Sequence, residues 1–271
     1  MGKVIVVTSG KGGVGKTTST AAFGAALARG GQKVVVVDFD VGLRNLDLVM
    51  GAEQRVEFDL TNVVHGTAKL SQALVRDKRL EMLYLLPASQ TRDKDALTED
   101  GVANVISELR DKFDWVICDS PAGIERGATL AMRFSDLAVV VANPEVSSVR
   151  DADRIIGLLD AKTERAEKGE RVEKHLLLTR YDAGRATRGE MLSVNDVLEI
   201  LSIPLIGIVP ESEEVLRASN LGAPVILHNA DSAPSRAYAD VAKRLCGEKL
   251  PVSIPTERKG FIGKLLGRRA A

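Results

Sequence analysis

Seven short, nearly uninterrupted apolar runs recur along the 271-residue chain: KVIVVTS (3–9), KVVVVDFD (33–40), MLYLLPAS (82–89), DWVICDSP (114–121), DLAVVVANP (136–144), HLLLTRY (175–181) and LIGIVPES (205–212). A strand with one wet face alternates polar and apolar side chains; a strand covered on both faces does not. These runs therefore predict a parallel sheet enclosed between helices. Between them, residues 16–30, 97–112, 147–166, 193–202, 212–221 and 233–247 carry helical spacing, with Ser147 and Ser193 as start signals. The expected fold is α/β: a doubly wound, mostly parallel sheet flanked by helices. The sequence shows no internal repeat or long linker before residue 248. It predicts one domain over 1–247, a short proline-bounded linker over 248–256 and a separate terminal segment over 257–271.

With 45% hydrophobic residues the chain can bury a sizeable core. Lys+Arg and Asp+Glu both number 37, so overall charge gives no reason to expect a nucleic-acid partner. The balance hides an asymmetry, because residues 257–271 carry a formal +4 and the remainder −4. Cys118 and Cys246 are too few for a disulfide framework or a metal cluster and predict reduced thiols. No apolar run approaches the roughly 20 residues that span a bilayer, and no export signal precedes the first run.

The first apolar run leads into SGKGGVGKTT (9–18). Gly10, Gly15, Lys16 and Thr17 match G-x-x-x-x-G-K-[ST] in the required setting, after a strand and at a helix start. Across Gly10, Lys11, Gly12, Gly13, Val14 and Gly15, backbone N–H groups can curl around an anion, with the helix N-terminus adding its dipole. In that pattern Lys16 reaches the β/γ-phosphates, the Thr17 hydroxyl meets Mg²⁺, and Thr18 extends the cradle. The letters GKGGVG also satisfy the dinucleotide fingerprint, with Asp38 about 20 residues on. Lys16 and Thr17 separate the two readings, since a nucleoside triphosphate with Mg²⁺ needs both and a dinucleotide neither. Lys11 has no evident task within one phosphate loop.

Ligands of doubly wound sheets sit at the carboxyl ends of the strands, and three acids arrive there. Asp119 follows WVIC and suits a metal-supporting carboxylate. Asp38 and Asp40 close the second run, and positions two apart in a strand share a face, so both are expected toward the loop. One of them can organise metal-bound water and the other the attacking water; each alone can equally be a turn cap. The stretches DSPAG (119–123) and DVGLRNLDL (40–48) are candidate nucleotide-sensing switches.

In the terminal ERKGFIGKLLGRRAA, Phe261, Ile262, Leu265 and Leu266 form one stripe on a helical wheel, with Lys264 at its flank. A basic amphipathic segment of this kind suits an anionic membrane interface, although the same stripe could dock on the body or fray. Gly260, Gly263 and Gly267 each cost roughly 1 kcal/mol of helix propensity, so one tail binds marginally and two joined tails bind far better.

Together, KGGVGKT, VVDFDVGLRNLDLVMG, LPASQTRDKDALT, DSPAGIE, NPEVSSVRDADRI, LLLTRY and RASNLGAPVI resemble the deviant Walker-A family of P-loop ATPases, in its branch that selects the cell-division site. The likeness runs along nearly the whole chain. It implies an ATPase with ATP and Mg²⁺ that forms a homodimer in the ATP state, with Lys11 and Lys16 on phosphates, Lys11 acting across the dimer. Asp40 would position the attacking water, Thr17, Asp38 and Asp119 would serve the metal, and Arg180 and Pro210 would lie near the base. It also implies the division inhibitor MinC and the activator MinE as partners, with Asp151 and Asp153 as contacts, and reversible attachment of a cytoplasmic protein to the inner membrane. A DNA-partitioning ATPase and a nucleotide-binding scaffold with little turnover stay open beside this reading.

Overall fold

The structure, a computed structural model, describes residues 1–90 and 96–256. The strands are β1 (Lys3–Thr8), β2 (Val34–Asp38), β3 (Val75–Arg76), β4 (Leu83–Leu86), β5 (Trp115–Asp119), β6 (Leu137–Ala142), β7 (Glu173–Tyr181) and β8 (Leu205–Pro210). They form one sheet in the order β3-β4-β2-β5-β1-β6-β7-β8, parallel except where β3 pairs antiparallel to β4. This is the doubly wound α/β fold that the seven runs predict. Of the seven strands that the runs predict, all but β7 are shorter than their runs, because the polar ends of the runs turn away into loops, chiefly at the carboxyl edge.

The helices are α1 (Lys16–Arg29), α2 (Leu46–Met50), α3 (Leu60–Val64), α4 (Leu70–Ala73), α5 (Glu99–Lys112), α6 (Arg126–Arg133), α7 (Val146–Lys162), α8 (Glu164–Glu167), α9 (Ala183–Thr187), α10 (Val194–Leu201), α11 (Glu213–Asn220), α12 (Val225–His228) and α13 (Ala233–Leu245). Alternate strand residues feed two cores. Val4, Val6, Val35 and Val37 pack with α5, α6, α7 and α10 on one face, while Ile5, Val7, Val34 and Val36 pack with α1, α12 and α13 on the other. Burial on both faces explains why the runs lack polar alternation.

Two helix expectations change. The stretch expected as one helix over 147–166 breaks at Thr163, whose extended backbone (φ −85°, ψ 151°) ends α7 and whose hydroxyl accepts the Ala166 N–H to start α8. Ser147 is not the start of α7: Glu145 is the N-cap residue, and Ser147 lies inside the first turn. Ser193 does cap α10, in a reciprocal box with Asp196. The two-residue β3 and the short α2, α3, α4, α9 and α12 have too few residues to show a period; α6, at eight residues, also escaped the sequence reading.

Candidate functional site

The loop from Ser9 to Gly15 joins the carboxyl end of β1 to α1, whose N-cap, Gly15, sits in the left-handed region (φ 97°, ψ 24°). Gly13 is also left-handed (φ 74°), so the loop curls back on itself as an anion cradle requires. A Cβ at Gly13 would meet nothing within 4 Å, so its glycine serves the backbone conformation. Gly10 serves proximity instead: a Cβ there would lie 2.4 Å from the Asp151 carbonyl oxygen, so α7 packs directly behind the loop. The Thr179 hydroxyl, at the end of β7, donates to the Val14 carbonyl (2.6 Å) and fixes the loop from its other side.

The two lysines of this loop point to different places. Lys16 is 8% exposed and its Nζ donates to Ser9 Oγ at 3.0 Å, inside the cradle. Burial pushes the Lys16 ammonium below its ordinary value, against the opposing pull of Asp119 and then Asp40. Lys11 projects outward, with its side chain 41% exposed, and its Nζ donates to Glu145 Oε2 (3.1 Å) and Ser147 Oγ (3.2 Å) at the start of α7. Glu145, and Ser147 in this role, escape sequence reasoning because they lie more than 130 residues away.

The carboxylates follow from the sheet register. Asp38 and Asp119 are paired positions on neighbouring strands β2 and β5, and both are buried. Asp119 accepts from the Thr20 hydroxyl at 3.1 Å, and the Thr17 hydroxyl also bonds to it. Burial raises Asp119 to about 6, against the hydrogen bonds of Thr17 and Thr20 and the charge of Lys16. Burial, reinforced by the Asp119 charge, raises Asp38 well above the usual carboxylate range.

Here the strand geometry expected for Asp38 and Asp40 is corrected. β2 ends at Asp38, and Asp40 lies in the following turn, so the two do not share a strand face. Asp38 accepts from the backbone N–H groups of Asp40 (2.8 Å) and Leu46 (3.2 Å), which fastens the turn and the start of α2. Asp40 is half-buried and acts electrostatically on Lys16, Asp38 and Asp119, so it belongs to the same cluster by another route. Both candidate switch stretches contain a left-handed glycine, Gly42 (φ 95°) and Gly123 (φ 88°). The Gly123 N–H donates to the Ser9 carbonyl, which ties the DSPAG turn to the loop.

Beside the loop lies a cavity of about 590 Å³, lined by Val14, Gly15, Thr18, Arg180, Pro210 and Tyr238 among others. Arg180 and Pro210 therefore meet the cradle in one pocket. Arg180 is exposed and left-handed (φ 52°), an uncommon backbone conformation for its type. Asp151 is half-buried behind Gly10, and Asp153 is exposed one position beyond the buried Ala152. The membrane candidates Phe261, Ile262, Lys264, Leu265 and Leu266 lie outside the described residues.

The cradle, with its buried lysine and flanking carboxylates on a doubly wound sheet, defines the class of P-loop nucleotide-binding proteins. Residues 5–225 match the model of the CobQ/CobB/MinD/ParA nucleotide binding domain. The septum site-determining protein MinD of Escherichia coli K12 is 60% identical over 271 residues, covering 98% of this chain and 100% of that protein. Among solved structures, the MinC:MinD cell division protein complex of Aquifex aeolicus matches with a TM-score of 0.84 and 42% identity, covering 94% of this chain and 100% of that one. The MinD of Pyrococcus horikoshii complexed with Mg-ADP matches at 0.80 and 29%, covering 92% and 100%. The chain belongs to the MinD family of septum site-determining ATPases.

Proposed function

We propose that this chain is an ATP-driven dimerising switch that places the division septum by bringing MinC to the membrane and leaves the membrane when MinE stimulates hydrolysis. The observation that carries the reading is the divergence of the two loop lysines. Lys16 faces its own cradle, whereas Lys11 stands on the outer surface, held among the described residues by a half-exposed ion pair and a hydroxyl. Such a pair is worth well under about 1 kcal/mol, so Lys11 is easily released toward the phosphates of a second copy's nucleotide, as an arginine finger acts in trans.

The residues present fit a magnesium nucleotide. Gly10 to Thr18 would cradle the phosphates, Lys16 would take β/γ-phosphate charge, and Arg180 and Pro210 would border the base. Thr17 and Asp119 would hold Mg²⁺, with Asp38 supporting the metal region from β2. Among the described residues no group of three or more His, Cys, Asp or Glu could hold a metal alone, which suits an ion completed by phosphate oxygens and water. Bound Mg²⁺ would neutralise phosphate charge. Asp40, on a turn fastened by Asp38, would orient the attacking water.

The MinC reading is supported by the Aquifex aeolicus complex, and Asp151 and Asp153, on the helix packed behind Gly10, are the contacts we assign to MinC and MinE. Residues 1–247 would be the ATPase domain, 248–256 the linker and 257–271 the amphipathic membrane-targeting segment. Among the described residues no helix is long and apolar enough to cross a membrane, so attachment would rest on that segment. The test is sedimentation with vesicles of anionic phospholipid. The protein should pellet with ATP and stay in the supernatant with ADP; equal pelleting in both would contradict the coupling of nucleotide state to the membrane.

A further inference from the structure

β8 is the last strand of the sheet, and one side chain bridges it to the segment that follows α13. Arg244, in the last turn of α13, donates through Nη1 to the Ile206 carbonyl on β8 (2.8 Å), through Nε to the Leu250 carbonyl (2.9 Å) and through Nη2 to the Pro251 carbonyl (2.7 Å). Gly207 makes this reach possible, because a Cβ there would stand 2.4 Å from Val241 Cγ2 and hold α13 away from the strand. Beyond the clamp, Val252 packs against the core, and Ser253, Pro255 and Thr256 line a wide cleft of about 960 Å³ beside Asp240 and Arg244. A segment that composition marks as a spacer is thus held beside the sheet edge by two charge-assisted hydrogen bonds from a side chain whose third bond reaches β8.

We propose that Arg244 is a positioning residue for membrane attachment: its clamp on residues 250–251 fixes the point from which the terminal segment leaves the body. The proposal rests on the membrane reading above. When two tails act together, binding of the second depends on its effective concentration, which falls as the chain between anchor and binding segment lengthens. With the clamp, the nine residues 252–260 separate the last clamped residue from Phe261; without it, the thirteen residues 248–260 do. By the −3/2 power of length, releasing the clamp lowers that concentration by a factor of about 1.7. Lysine cannot replace Arg244, since one ammonium on a flexible stem does not span three carbonyls fixed on two segments.

The experiment uses the full chain carrying Asp40→Ala, which is expected to hold the ATP state, with vesicles of phosphatidylethanolamine and phosphatidylglycerol. Arg244→Ala should weaken vesicle binding by a factor of about 1.7, leave the ATP-dependent mass unchanged, and speed amide exchange at Val252 and Ser253. A second variant keeps Arg244 and inserts nine Gly/Ser residues between Thr256 and Glu257. It lengthens the tether without touching the fold and should weaken binding about threefold. Unchanged amide exchange at Val252 and Ser253 in Arg244→Ala, or vesicle binding of the insertion variant within about 1.3-fold of the parent, or tighter binding in either variant, would overturn the clamp's role. Failure of the parent itself to bind vesicles in ATP would instead overturn the membrane reading on which the clamp depends.

Discussion

Two parts of one sheet border the nucleotide pocket, and they are built differently. At its centre, β2 and β5 run in unbroken register from Val34 and Trp115 to Asp38 and Asp119, and β1 keeps step with β5 from Lys3 to Val7. At its outer side, β7 and β8 slip register twice, between Leu176 and Leu177 and between Leu178 and Tyr181, and Arg180 sits in a left-handed backbone. The difference matches the chemistry proposed for each part. Phosphate and metal charges demand carboxylates and an ammonium at fixed separations, which rigid parallel strands supply. The base side needs a shaped pocket and tolerates irregular backbone, and the same outer edge also holds Leu250 and Pro251 of the linker through Arg244.

Substitutions can sharpen this contrast. The largest effect is expected at the centre: Lys16→Ala should lower ATP turnover by about 10²–10³-fold while leaving the fold intact, because it removes a fixed charge that is itself costly to bury. Phosphate release together with thermal unfolding reads both quantities. A core-like loss of stability in this variant would contradict the assignment of Lys16 to ligand charge.

Next in size is a pH effect confined to the same centre. The Asp119 carboxyl has an ordinary value of 3.8 and is raised to about 6, so the folded state holds its proton more tightly than the unfolded chain does. In nucleotide-free, metal-free protein this group's contribution to stability therefore falls as pH rises from about 4 to about 6, together with that of its neighbour Asp38, which is also raised. Asp119→Asn should flatten that part of the stability profile and raise stability at pH 8, since an amide can still bond to the Thr17 and Thr20 hydroxyls. An unchanged slope would show that the desolvated charge is compensated in the folded state.

The outer part should respond in the opposite manner. Arg180→Asn should stabilise the fold by about 0.5–1 kcal/mol, because asparagine adopts the left-handed region more readily. Turnover should change far less than in Lys16→Ala. The smallest effect is expected at the surface pair: Glu145→Gln should change stability by less than about 0.5 kcal/mol, given exposures of 41% and 49% for Lys11 and Glu145. Chemical denaturation of each variant measures both.

How much of this was legible in the sequence follows the same division. The central strands, the loop and α1 are local, with apolar runs and glycine spacing that declare them directly. Asp119 is named by the run that delivers it. Asp40 is legible as a candidate but its setting is not, because the Asp38 carboxylate ends β2 early by capping the next turn. The outer edge is scarcely legible. Nothing local signals that Arg180 is left-handed, that Thr179 holds the Val14 carbonyl, or that Arg244 reaches both Ile206 and Pro251. The separation of the two lysines sits between these cases: Lys11 is conspicuous in the sequence, but its resting partners Glu145 and Ser147 emerge only when β6 delivers α7 behind the loop.

Whether Lys11 serves a second copy's nucleotide is decided by the solution mass of Asp40→Ala protein, with and without Lys11→Ala, in ATP and in ADP. The proposed trans role gives a dimer mass for Asp40→Ala in ATP, a monomer in ADP, and a monomer under both conditions once Lys11→Ala is added. A double variant that still doubles its mass in ATP would contradict it.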